Sequence, residues 1–143
     1  MTSLSFPDIN LWLALAAHEH IHSALARRWW NGLDGEIAFC RHTQLGLLRL
    51  LSTASVMNNK QLTVNEAWLV YEGFFADERV VFVSEQVNAS AAFRERACGD
   101  EISPKVWADA WLLAMAQATG GTLVTFDRAL ATKGALCLLG QRD

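Results

Sequence analysis

The sequence predicts a three-layer α/β fold built on a central, mainly parallel sheet. Short β-branched or aromatic runs alternate with stretches of helical spacing along the 143 residues. Such alternation implies right-handed crossovers and strands covered by helices on both faces. With 52% hydrophobic and 19% charged residues, the chain can build one core, and it reads as a single domain over 1–143.

Leu4 to Asp8 reads as the first strand, leading through Pro7 into the helical run Leu11 to Ala17, which Asn10 can open. After a break at His18 to His22, helical spacing resumes over Ala24 to Trp30 and stops at Gly32. Glu36 to Phe39 is the second strand, and Arg41 to Leu51 the helix behind it, with Leu45, Leu48 and Leu51 at helical spacing. Thr63 with Glu66 three places on forms a capping box, in which each side chain satisfies the other's free amide, and so opens a helix over Leu62 to Ala76. Val80 to Val83 has the composition of a buried strand, and Val87 to Ala97 that of a helix. Ser103 as cap and Pro104 in the first helical position start a helix to Ala118, which Gly120 and Gly121 end. Thr122 to Thr125 is the fourth strand, a helical turn follows Asp127, and Ala135 to Leu139 reads as an edge strand.

The longest apolar runs, Leu11 to Ala17 and Ala110 to Ala116, fall far short of the roughly 20 residues that cross a bilayer. No basic stretch precedes the first of them, so the expected compartment is the cytoplasm. Cys40, Cys98 and Cys137 are odd in number and set among apolar residues, which fits buried free thiols better than bridges. A formal charge of −3 argues mildly against a nucleic-acid partner. That objection weakens if acids gather at a metal and leave Arg27, Arg28, Arg41, Arg49, Arg128 and Lys133 as local basic patches.

Asp8 ends the first strand and Asp127 follows the fourth, so both lie at the carboxyl edge, where α/β sheets collect their reactive groups. Asp109 sits in the second turn of its helix, on the stripe of Val106, Ala110 and Leu113 that should face the core. An unpaired charge there would titrate or destabilise, so it calls for a cation or strong donors. Each acid alone also fits a helix cap or dipole partner. Three converging at one edge, with no His or Cys beside them, suit a hard ion such as Mg²⁺ or Mn²⁺.

Four stretches, FPDINLWLALA (Phe6 to Ala16), TQLGLLRLL (Thr43 to Leu51), WADAWLLAMA (Trp107 to Ala116) and LVTFD (Leu123 to Asp127), resemble in order and spacing the motifs of PIN-domain VapC toxins. The resemblance spans nearly the whole chain. It implies a PIN-like α/β/α nuclease in which Asp8, Asp109 and Asp127 bind Mg²⁺ and direct water onto RNA, together with a VapB-like antitoxin that holds the toxin inactive. It also implies supporting roles for Asn10, two places after the first acid, and for Thr125 in the last motif. The general PIN pattern has Glu where this chain has Gln44. An amide accepts hydrogen bonds but carries no charge and cannot act as a base, so Gln44 joins the catalytic set with a changed role.

His18 and His22 share a helix face at metal-ligand spacing but lack further ligands, and they read first as a polar junction. His42 lies near Gln44 and could approach a phosphate, but reads first as a solvent-facing cap. Neighbours on a helix lie about 100° apart, so Trp29 and Trp30 cannot both face inward; with Trp12 they are the expected antitoxin contacts. Two further readings stand beside the ribonuclease: an RNA- or partner-binding module with a weakened metal site, and a hydrolase of small phosphate esters. The sequence leaves monomer and homodimer open.

Overall fold

The computed structural model describes residues 3–140. Strands β1 (Leu4–Pro7), β2 (Glu36–Phe39), β3 (Val80–Phe82), β4 (Thr122–Thr125) and β5 (Leu136–Cys137) lie in the order β3-β2-β1-β4-β5, every neighbouring pair parallel. The connecting helices are α1 (Ile9–Ala16), α2 (Ser23–Gly32), α3 (Arg41–Leu51), α4 (Val64–Gly73), α5 (Ala89–Arg96), α6 (Lys105–Thr119) and α7 (Arg128–Ala131). A short 3₁₀ turn, Phe74–Ala76, extends α4.

Side chains alternate across the sheet and divide the core in two. Ile37, Phe39 and Val124 pack with α1 to α4 on one face, while Phe6, Ala38 and Leu123 pack with α5, α6 and α7 on the other. Trp12 anchors the first layer, fully buried and stacked on Phe39 with ring centroids 3.7 Å apart. Helices α1 and α3 approach closely because Gly46 has no side chain; a Cβ there would overlap Ile9. From β1 the chain winds outward through β2 to β3, and α5 and α6 then carry it back past β1 to β4. The winding therefore reverses between β1 and β4, and a ligand crevice is expected outside the carboxyl ends of strands at such a reversal.

The three-layer class and the strand order along the chain hold, with several local differences. Asp8, not Asn10, opens α1, because its carboxylate accepts from the Leu11 amide; Asn10 is left exposed. Helix α6 begins at Lys105, with Pro104 at the cap and no side-chain cap from Ser103. In α3 the core face is Leu47 and Leu51, while Leu45 points outward. Cys40 is buried, but Cys98 is exposed and Cys137 is intermediate; all three are free thiols. The Thr63–Glu66 capping box forms, and α6 ends at Gly120 in the left-handed conformation, φ 70°. No helix among the described residues is long and apolar enough to cross a membrane.

Candidate active site

Because Pro7 of β1 pairs with Val124 of β4, the next residues out, Asp8 and Thr125, meet at the carboxyl edge. The Asp8 carboxylate is fixed on both sides. One oxygen accepts from the Leu11 amide at 2.9 Å and the other from the Thr125 hydroxyl at 2.5 Å. Thr125 is fully buried, and its oxygen in turn accepts from the Asp127 amide at 3.0 Å. One hydroxyl thus links the end of β1 to the turn after β4. Asp127 caps α7 by accepting from the Ala129 amide at 2.9 Å, and its second oxygen forms an ion pair with Lys105 of α6. Asp109 stands one turn beyond Lys105 on that helix.

All three acids line one cavity of about 190 Å³, shared with Lys105, Asn10, His42 and Thr125. Burial pushes the Asp8 carboxyl above its ordinary range, against the pull of the Thr125 and Leu11 hydrogen bonds, and the charge on Asp109 adds to the rise. Burial likewise raises Asp109; Lys105 opposes this and Asp127 adds to it. Asp127 goes the other way, held down by its bond from Lys105. The Lys105 ammonium is raised by that same bond. A cation at this spot relieves two strained carboxylates, and the lysine does so in part.

A divalent ion fits this donor set. The donors are carboxylate oxygens, a hydroxyl and an amide, as a hard ion requires, and Lys105 already places a positive charge among them. The carboxylates do not close into a cage by themselves: among the described residues no three His, Cys, Asp or Glu converge tightly enough to enclose an ion. An ion held there would need water or substrate to complete its ligands.

The model of the PIN domain matches residues 5–136. This chain belongs to the PIN-domain family. Its curated relatives include Ribonuclease VapC41 of Mycobacterium tuberculosis, 40% identical over 135 residues that cover 90% of this chain and 92% of the relative. Ribonuclease VapC44 of the same organism is 30% identical over 131 residues, 87% of this chain and 86% of the relative. Among solved structures, Mycobacterium tuberculosis VapC20, a toxin that cleaves the sarcin–ricin loop, superimposes with a TM-score of 0.68 at 17% identity. That superposition covers 92% of this chain and 96% of VapC20, and at such identity it speaks for the fold.

Within this PIN domain Asn10 and Thr125 stand at the cavity beside the acids. Gln44 is not among the residues that line it. It is a buried residue of α3 whose side-chain oxygen accepts from Arg41, and it lies close to Tyr71 of α4. Trp12 cannot serve as an antitoxin contact, because it is enclosed by Phe39, Phe74 and Trp30. Trp29 and Trp30 are half-buried and pack against the same core, Trp30 also beneath the Arg79 guanidinium. His18 is engaged by Arg27, and His20 and His22 pack near Phe126, so the histidine junction forms no metal cluster among the described residues.

One cavity residue, Lys105, is not among the candidates read from the sequence, and His42 stands there otherwise than expected. Lys105 was signalled by its position four residues before Asp109, an ion-pair spacing on a helix, although its hydrogen-bonded partner is Asp127 across the site. His42, expected as a surface cap, turns inward, with a buried Nε2 that has no partner among the described residues. Its imidazole is held below the ordinary range by burial, and Arg49 adds to this.

Proposed function

We propose that this PIN domain is a divalent-metal-dependent endoribonuclease and the toxin of a toxin–antitoxin pair, acting in the cytoplasm as one domain over 1–143. The observation that supports it best is the meeting of Asp8, Asp109 and Asp127 on one cavity at the reversal point of the sheet, with Asp8 and Asp127 linked through Thr125. The names of the curated ribonuclease relatives point the same way. Mg²⁺ or Mn²⁺, held by the three carboxylates, would supply Lewis acidity and an activated water.

The protein's own groups supply position and charge. Thr125 and the Leu11 amide fix the Asp8 carboxylate in one rotamer, so both of its oxygens are oriented before substrate arrives. Lys105, exposed at the rim, offers an ammonium to a phosphate oxygen once Asp127 has turned to other partners. Asn10 lines the rim and can orient a ligand by hydrogen bonds. Gln44 keeps its proposed part in the reaction through the α3 scaffold, by accepting from Arg41. A VapB-like antitoxin, laid as an amphipathic helix near Trp29 and Trp30, would block access and offer an arginine to the same acids.

The test is cleavage of total RNA by the purified chain with Mg²⁺, with EDTA, and with Asp8→Asn and Asp109→Asn. Cleavage that needs the metal and is lost in both variants is the expected result. Cleavage that persists in either variant refutes the assignment. The second reading, a module that binds RNA without cutting it, is favoured by the Lys105–Asp127 pair, which already neutralises one acid. Calorimetric titration separates the two, since a binding module of that kind takes up no Mg²⁺.

A further inference from the structure

Asp109 lines two cavities, one on each side of it around the axis of α6. The second, about 220 Å³, is walled by Val106, Ala110 and Leu113 and carries two cations, Arg96 and Lys133. Arg96 comes from the last turn of α5 and is tethered. Its Nε donates to the Gln117 side chain at 3.0 Å and one terminal nitrogen donates to the Lys133 carbonyl at 3.3 Å. A guanidinium has five N–H donors, so this anchoring leaves others free for an anion. Lys133 follows α7, and among the described residues its ammonium makes no hydrogen bond or ion pair; its charge bears on both Asp109 and Asp127.

We propose that the Arg96–Lys133 cavity is a phosphate subsite for the single-stranded RNA whose scissile bond lies in the acid cavity. The inference rests on the ribonuclease reading and adds the path of the strand. An acidic chain must draw its phosphate affinity from local cations, and here two face a space that opens beside a catalytic acid. Asp109 and Gln117 are eight residues apart on α6, about 12 Å along the axis, a distance that an extended dinucleotide spans. The apolar wall lowers the local dielectric and strengthens both charges. Asp109 repels a phosphate here while it is ionised and unpaired, so occupancy of the subsite rises when a divalent cation binds the acids.

Fluorescence anisotropy of a labelled, mixed-sequence single-stranded RNA tests this, with the full chain in Ca²⁺ and RNA integrity checked on a gel. Between about 50 and 200 mM salt, Arg96→Gln and Lys133→Gln should each weaken binding about 3- to 10-fold and lower the salt slope by about 0.7. Lys60→Gln, at the exposed pair with Glu19 and on neither cavity, should leave the slope alone. Arg96 also ties α5 to α6, so Lys133→Gln, which removes no tether, decides if Arg96→Gln misfolds. Slopes equal to the parent's overturn the subsite. Loss of polyglutamate binding with RNA binding intact also overturns it, and assigns the cavity to an acidic protein segment. If the parent cuts RNA and the slopes do not move, the subsite alone fails. If the slopes fall in a parent that cuts nothing, the subsite stands and the ribonuclease reading fails.

Discussion

The β1–α1 and β2–α3 junctions lie side by side in the sheet and solve the same problem with different chemistry. Each strand runs straight into a helix whose first amides need acceptors. At β2–α3 the solution is neutral, a capping box in which the Cys40 side chain accepts from the Thr43 amide and the Thr43 hydroxyl accepts from the Cys40 amide at 3.0 Å. At β1–α1 a carboxylate does the work, although burial raises its pKa and a second acid faces it. Asp8 caps α1, but a cap by itself requires no charge, since the adjacent junction is capped without one. The charge at β1–α1 is costly where it is buried, and Thr125 and Lys105 offset part of that cost.

The largest effect should come from removing that charge. Asp8→Asn should lower RNA cleavage about 1,000-fold, equivalent to about 4 kcal/mol of transition-state stabilisation, as measured by initial rates in Mg²⁺. The corresponding change at the neutral junction, Thr43→Val, should leave the rate within about 2-fold, because Thr43 supports only a cap. Similar losses from both would erase the distinction between the junctions.

Thr125→Val probes the link between the acids. It removes the donor to Asp8 and the acceptor for the Asp127 amide in a fully buried place. Cleavage should fall about 10- to 100-fold, as for other groups that orient metal ligands, with a stability loss of about 1–3 kcal/mol. Thr125→Ser keeps the hydroxyl and should recover most of the rate.

Stability should move in opposite directions at the two junctions. Thr43→Val should cost about 1 kcal/mol in urea unfolding. Asp8→Asn, without metal at neutral pH, should gain about 1 kcal/mol, a rise in Tm of about 3 °C for this length. The sign follows from linkage. The folded pKa of Asp8 is raised, so its favourable contribution is complete below the unfolded value near 3.8 and is lost as pH rises through the folded value. The advantage of the Asn variant should accordingly vanish on acidification to about pH 4 and widen toward pH 7. Mg²⁺ should stabilise the parent and not the variant, and equal stabilisation of both would place the ion elsewhere.

The sequence by itself determined the alternation of strands and helices, the Thr63–Glu66 box, the glycine stop after α6 and the placement of Asp8 and Asp127 at strand ends. These are local properties: periodicity, caps and breakers act over a few residues, and β1 and β4 carry their terminal acids wherever they pair. Tertiary structure decided the rest. The α5–α6 connection brings β4 beside β1, so that Thr125 meets Asp8 across the chain. The rotation of α6 about its axis then turns Lys105 and Asp109 into the same cavity. Trp12 is sealed in the core and Gln44 is buried near Tyr71 of α4, although both stand in motifs that marked them for partners or catalysis. A helix's periodicity tells which residues share a face, but which face meets the site depends on how its neighbours pack, and that contact energy is spread over residues far apart in the chain.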